Sequence, residues 1–261
     1  MAEERGEHFV KSFERGLSVL RAFSAEHPEL TLSEVAAATG LTRAGARRFL
    51  LTLVDLGYLR VEGRRFALTP RVLEFGYAFL SGRPLPKIAE PHLHQLAGEL
   101  HETTSVAILD GTDIYYVARV PSSRLLSVAI TVGTRFPAHA TSMGKVLLAG
   151  LPGDELARRL DGMELRALTP RTITSREVLT AEIERVRERG WAISDGELEE
   201  GLHGVAAPLR DRTARVTAAV NVSLQTHSAD ESHVRREVVP PLLATASRIE
   251  AEVNLQPSAP V

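Results

Sequence analysis

The 261-residue chain has no cysteine, which excludes disulfides, a thiolate nucleophile and any cysteine-ligated metal. It has no run near the ~18 apolar residues of a membrane span. The opening MAEERGEHFVKSFERG is charged where a signal peptide carries an apolar core. A soluble, cytoplasmic protein is expected. The marks of common catalytic chemistry are missing too: there is no G-x-S-x-G and no G-x-x-x-x-G-K-[ST]. His92, His94, His101 and His139 include no H-x-x-x-H or H-E-x-x-H pair, so they read as core or surface residues, and no metal or cofactor is expected. With 44% hydrophobic and 25% charged residues, what remains is an ordinary globular chain of one large or two modest domains.

Net charge is also small, formally −2, but it is unevenly spread. Residues 39–71 hold seven arginines, at 43, 47, 48, 60, 64, 65 and 71, against only Asp55 and Glu62. A polyanion partner is the natural reason for such a concentration.

The local patterns give that segment a shape. Residues 12–25 place Phe13, Leu17, Leu20 and Phe23 on one helical face with Val19 at its flank. TLSEVAAATG is a short second helix with Thr31 or Ser33 as cap and Gly40 as its stop. Thr42 caps a third, in which Ala46, Phe49, Leu50 and Leu53 form the core stripe while Arg43, Ala44, Arg47 and Arg48 face outward. GYLRVEGRRFALTP reads as a two-stranded hairpin turning at Glu62-Gly63, with Arg64 and Arg65 just past its tip. Helix, short helix, helix and basic hairpin make a winged helix-turn-helix. Its third helix suits a DNA major groove, and the hairpin arginines suit phosphates.

TPRVLEFGYAFLSGRPLP predicts a helix over about 71–80, with Val72, Phe75, Gly76 and Phe79 aligned, ending before Pro84 and Pro86. The expected division is a DNA-binding domain at 8–70, a linker helix at 71–85 and a second domain at 86–256. In the latter, helix is expected over 89–104 and paired strands over 105–120 around Asp110-Gly111. A further strand in 125–136, a short helix near Ser142 and a long one with Thr174 and Glu177 at capping-box spacing come next. Strands in WAISDG, GVAAPL and RVTAAVNVSL and a final helix from about Asp230 to Glu252 complete an α+β domain around an antiparallel sheet.

Three features of this domain suit a small acid. PAHATSMGK opens onto a helix, presenting free N–H groups and a positive dipole end to an anion, unless Ser142 is simply the cap. Asn221 and Ser223, at i and i+2, share one sheet face and need partners from a ligand or neighbouring backbone. Arg119 and Arg135 can each pair a carboxylate, or else make structural salt bridges.

The stretches SFERGLSVLRAF, TLSEVAAATGLTRAGARRFLLTLVDLGYL, HATSMGKVLLA, AISDGELEEGLHGVAAPL and VTAAVNVSL resemble the IclR family of bacterial transcription regulators across nearly the whole chain. LTRAGARRFLLTL is similar to the branch that controls catabolism of protocatechuate, 4-hydroxybenzoate and related acids through the β-ketoadipate pathway. The resemblance implies a GAF-like sensory domain and linker helices that pair two subunits in a homodimer, or a tetramer of paired dimers. It also implies an effector pocket at Ser142, Met143, Ser194 or Asp195, Gly204, Asn221 and Ser223, with His203 where that branch often carries arginine. The expected function is a DNA-binding regulator responsive to a small aromatic or keto carboxylic acid. An enzyme of small acids and a DNA-binding scaffold with an empty sensory domain are the alternatives.

Overall fold

A computed structural model describes residues 6–122, 130–225 and 231–255. The chain falls into two units that part between Phe79 and Leu80. The first contains α1 (Lys11–Arg21), β1 (Glu29–Thr31), α2 (Leu32–Thr39), α3 (Arg43–Asp55), β2 (Leu59–Glu62) and β3 (Arg65–Leu68), closed over Val19, Phe23, Val35, Ala46, Leu50, Leu59 and Phe66. Thr31 and Glu34 form a reciprocal capping box at the start of α2, and Gly40 ends it with a φ of 67°.

This unit differs from the sequence reading in three places. The stripe of α1 is only partly inside: Val19 and Phe23 are buried, but Phe13 is 68% and Leu17 41% exposed. Periodicity identifies an apolar side and says nothing of what covers it. The wing has three strands, because β1 pairs with β3 in the order β1-β3-β2. Its turn is one residue later than expected: Glu62 pairs with Arg65, leaving Gly63, at a φ of 61°, and Arg64 as the two-residue loop.

A 3-10 turn at Pro70–Val72, capped by Thr69, leads into α4 (Leu73–Ser81), on which Leu73, Phe75 and Tyr77 are exposed. In the second unit, α5 (Leu85–Leu100) precedes β4 (Thr103–Asp110) and β5 (Asp113–Val120). The helix expected over 89–104 therefore stops earlier, at His101, whose φ of 56° is left-handed. Of the strand expected in 125–136, residues 125–129 lie outside the described residues, and β6 covers only Arg135–Pro137. Helices α6 (Ser142–Ala149), α7 (Gly153–Asp161) and α8 (Arg176–Arg189) follow; α7 was not foreseen. Strands β7 (Ala192–Asp195), β8 (Leu202–Arg210) and β9 (Val216–Gln225) complete an antiparallel sheet in the order β6-β5-β4-β9-β8-β7.

The sheet has a core on each face. Val106, Val205, Val220 and Val222 pack against α5 and α10, while Ala107, Tyr116, Ala192, Ala206 and Ala219 pack beneath α6 and α8. The last helical segment begins as α9 (Glu231–His233), widens into a π-helical turn at Val234–Val238 and continues as α10 (Val239–Leu255). Pro240 and Pro241 have no N–H to continue an i→i−4 ladder, which accounts for the break in hydrogen-bond pattern just before them. Trp191, the chain's single tryptophan, is contacted by two guanidiniums, with Arg189 at 4.5 Å and Arg235 at 5.5 Å from its ring centroid.

Both expected caps shift by one residue. Thr141, not Ser142, caps α6, its hydroxyl accepting the Gly144 N–H at 3.0 Å, and Ser175, not Thr174, caps α8. Gly144 is also where Ala138 crosses α6 so closely that a Cβ would overlap its carbonyl oxygen. Gly144→Ala is therefore expected to destabilise the second unit by about 3 kcal/mol or more, as overpacking against rigid backbone does. A urea midpoint equal to that of the parent would show that the crossing yields.

Candidate functional sites

The first site is the outer surface of α3. Ala46, Leu50 and Leu53 anchor its inner side, which leaves Arg43, Ala44, Arg47 and Arg48 exposed on the other. Thr42 is also exposed, but its hydroxyl accepts the Gly45 N–H at 3.1 Å, so its first role is to cap the helix. Among the described residues, Arg43, Arg47, Arg48 and Arg64 make no ion pair, and Arg64 stands at the wing tip. The other three arginines are engaged internally. Arg60 pairs with Glu62 and Glu29, and Arg65 reaches the Glu29 carbonyl at 3.5 Å. Arg71 donates to the Leu56 carbonyl at 2.6 Å and covers the Tyr58 ring. The basic segment thus contains four free guanidiniums, three of them on one helix face.

The second site is the α6 face of the large sheet. Strand register aligns two polar rows across it. Thr103, Ser223, Gly204 and Ser194 are successive partners in one; Arg119, Ser105 and Asn221 are successive partners in the next. Alternation points both rows the same way as Ala107 and Ala206, whose core lies under α6. Ser142, in the first turn of α6, lies directly over Gly204: a Cβ there would be 2.6 Å from the Ser142 hydroxyl and 3.1 Å from that of Ser194. Met143 is buried in the core beside them.

The first row is bonded in part, Thr103 accepting the Ser122 N–H at 3.1 Å, whereas the second is poorly satisfied. Asn221 donates from Nδ2 to the Ser223 hydroxyl at 3.2 Å, but its Oδ1, the Ser105 hydroxyl and Arg119 Nη1 are buried without a hydrogen-bond partner. Burial lowers the Arg119 pKa below its usual range, against the opposing effect of the Tyr116 phenol. Tyr116 is itself pushed up to about 12 by burial, so it stays neutral.

Not every expected pocket residue lies there. His203 alternates with Gly204 and points to the opposite face, beside Leu224. Its Nδ1 lies 2.9 Å from Asp195, yet burial holds its pKa below the usual histidine value. Asp195 likewise turns away from Ser194 and pairs with Arg171 at 2.5 Å, so of the two alternatives only Ser194 is on the α6 face. Arg135 is exposed, 3.6 Å from Asp113, and pairs in register with Tyr115 on the far face.

Two residues near this site were missed. Lys145, one turn along α6 from Ser142, is 1% exposed and ion-paired with the buried Glu197, in the loop after β7. Burial pushes the Glu197 carboxyl above its usual range although Lys145 is beside it. The only hint in the sequence is the lysine's setting, SMGKVLLA, with small or apolar residues on both sides.

Residues 12–63 match the IclR helix-turn-helix domain, and residues 77–251 match the family described as bacterial transcriptional regulator IclR C-terminal. The chain is 41% identical to the Pca regulon regulatory protein of Pseudomonas putida, over 91% of this chain and 82% of that protein. It is 35% identical to the p-hydroxybenzoate hydroxylase transcriptional activator of Acinetobacter baylyi, over 95% of this chain and 93% of that one. Among solved structures, a putative transcriptional regulator from Rhodococcus sp. RHA1 superposes with a TM-score of 0.81 at 51% identity, covering 94% of this chain and 98% of its own. An IclR homologue from Microbacterium hydrocarbonoxydans, complexed with 4-hydroxybenzoate, superposes at 0.79 with 25% identity, covering 94% of this chain and all of its own. These curated relatives are named as regulators, and the enzyme alternative is set aside. From its helix-turn-helix to its C-terminal sheet, the chain belongs to the IclR family of bacterial transcriptional regulators.

Proposed function

We propose that this regulator binds a double-stranded operator through Arg43, Ala44, Arg47 and Arg48 of α3 and Arg64 and Arg65 of the wing, and responds to a small aromatic or keto carboxylic acid. The carrying observation is the free guanidinium face of α3, since arginines that lack internal carboxylate partners are available to phosphates and base edges. An acid effector is supported by the buried, unsatisfied row of Arg119, Ser105 and Asn221 under α6 and by the relatives, one named for p-hydroxybenzoate hydroxylase and one complexed with 4-hydroxybenzoate.

The working form is a cytoplasmic homodimer, which would cover the apolar surfaces of α1 and α4, where Phe13, Leu73, Phe75 and Tyr77 are more than half exposed. A two-fold pair then presents two α3 helices to half-sites a whole number of DNA turns apart. The acid binds one dimer geometry more tightly and so shifts the population, a typical coupling being about 1–3 kcal/mol.

Fluorescence anisotropy on genomic fragments retained by the protein, with and without 4-hydroxybenzoate, tests this reading. Asn221→Ala is expected to reduce the effect of the acid about tenfold while leaving DNA affinity in its absence unchanged. A full response in that variant would remove Asn221 from the site. A protein whose melting temperature no aromatic or keto acid raises would be a DNA-binding scaffold instead.

A further inference from the structure

Helix α4 has no buried residue among those described, so it takes no part in the core closed by Val19, Phe66 and their neighbours. What holds it is a clasp at its base, made with the three residues that follow α3. Arg71, in the 3-10 turn before α4, donates from Nη1 to the carbonyl of Leu56, the C-cap of α3, at 2.6 Å. Its guanidinium carbon lies 5.1 Å from the centroid of the Tyr58 ring. Tyr58 stacks in turn on Phe75 of α4, with centroids 5.5 Å apart and planes 21° from parallel. Thr69 closes the same corner, donating its hydroxyl to the Gly57 carbonyl at 2.6 Å and its N–H to the Tyr58 carbonyl at 2.9 Å. Space there is tight: Gly57 has a φ of 78°, and a Cβ on it would lie 3.2 Å from Arg71 Nη1.

The clasp joins two surfaces with different tasks. In the proposed function, on which this step rests, α3 carries the DNA face and the exposed apolar side of α4 belongs to the homodimer. The angle between those two surfaces is then set where Arg71 and Tyr58 tie the start of α4 to the end of α3. Arg71 belongs to the basic segment, yet its guanidinium is committed to a carbonyl, a ring and Glu74 at 3.7 Å, so it is spent inside the unit. Moving one half-site by a single base pair shifts it by about 3.4 Å and turns it by roughly 35° about the DNA axis. A stiff joint refuses that change and a loose one absorbs it.

We infer that Arg71 and Tyr58 are positioning residues that fix α4 to α3 and so determine which half-site spacing the regulator accepts. Neither touches DNA. They act through the direction in which each subunit presents its α3, and their effect is confined to DNA that carries two half-sites.

Fluorescence anisotropy on the full-length protein tests this with an operator recovered from retained genomic fragments, with one half-site alone, and with the half-sites moved by one base pair in either direction. Wild-type protein should lose at least about tenfold in affinity on either shift. Arg71→Ala and Tyr58→Leu should each cut that penalty to about threefold or less and weaken binding to the unshifted operator about tenfold, with half-site affinity and salt slope unchanged. Tyr58→Phe keeps the ring and should behave as wild type. The combined variant should match either single one, because both remove the same clasp. A variant that keeps half-site affinity and the full spacing penalty overturns the inference, as does a salt slope lower by about 0.9 in Arg71→Ala, which would make Arg71 a phosphate ligand. If wild-type protein binds shifted and unshifted operators equally but both better than one half-site, the clasp sets no spacing while the dimer reading stands. If two half-sites bind no better than one, the dimer reading fails and the inference with it. The wild-type series decides the matter even if a variant does not fold.

Discussion

Lys145→Met should lower the stability of the second unit by about 3–5 kcal/mol, the cost of leaving a buried charge without its partner. Adding Glu197→Leu should recover most of that loss. Both side chains are buried, and the raised Glu197 pKa means that the cost of burial there outweighs the attraction of Lys145. The attraction within a buried ion pair does little more than offset the cost of desolvating its two charges, yet half of it is worse than none. Urea unfolding of the two single variants and the double variant measures the coupling. Additive losses in the double variant would mean that the two residues act independently.

The second large effect concerns DNA. Arg43→Ala, Arg47→Ala and Arg48→Ala combined should weaken operator binding by roughly two or more orders of magnitude, at about 1–3 kcal/mol for each lost base contact. Where a contact is to phosphate, affinity should instead become less salt-dependent, by about 0.9 in the logarithmic slope per contact. Because these side chains are exposed and make no ion pair, the melting temperature should hold, and alanine even favours the helix slightly. Unchanged affinity together with an unchanged salt slope would move the DNA contact elsewhere.

How much of this could be read from the residues follows from the range of each interaction. Gly40 and the stripe of α3 act within one or two turns and stand where the sequence put them, and of the two candidate caps of α2, Thr31 and Ser33, Thr31 takes the role. Where two cap-forming residues are adjacent, as in Thr141-Ser142 and Thr174-Ser175, composition cannot choose between them, and the neighbour of the expected residue takes the role. That choice shapes the proposed site, because it frees the Ser142 side chain to face Gly204. β1 has three residues and exists only because β3 is beside it. Strand alternation identified Asn221 and Ser223, and the same rule applied to TTSVAILD would have found Ser105. The burial of Lys145 depends on a carboxylate 52 residues away, and the turn of His203 to the opposite face of the sheet depends on register with β9, so neither has a local signal.

The indole contacted by Arg189 and Arg235 gives the molecule an optical reporter of its own. Since it is the chain's only one, indole emission, excited at wavelengths that the four tyrosines do not absorb, comes from a single buried ring just before β7, three residues before Ser194. Its colour and quenching report whether the helix that carries Arg235 remains seated against that strand. Rearrangement of the second unit can therefore be followed in the unlabelled chain.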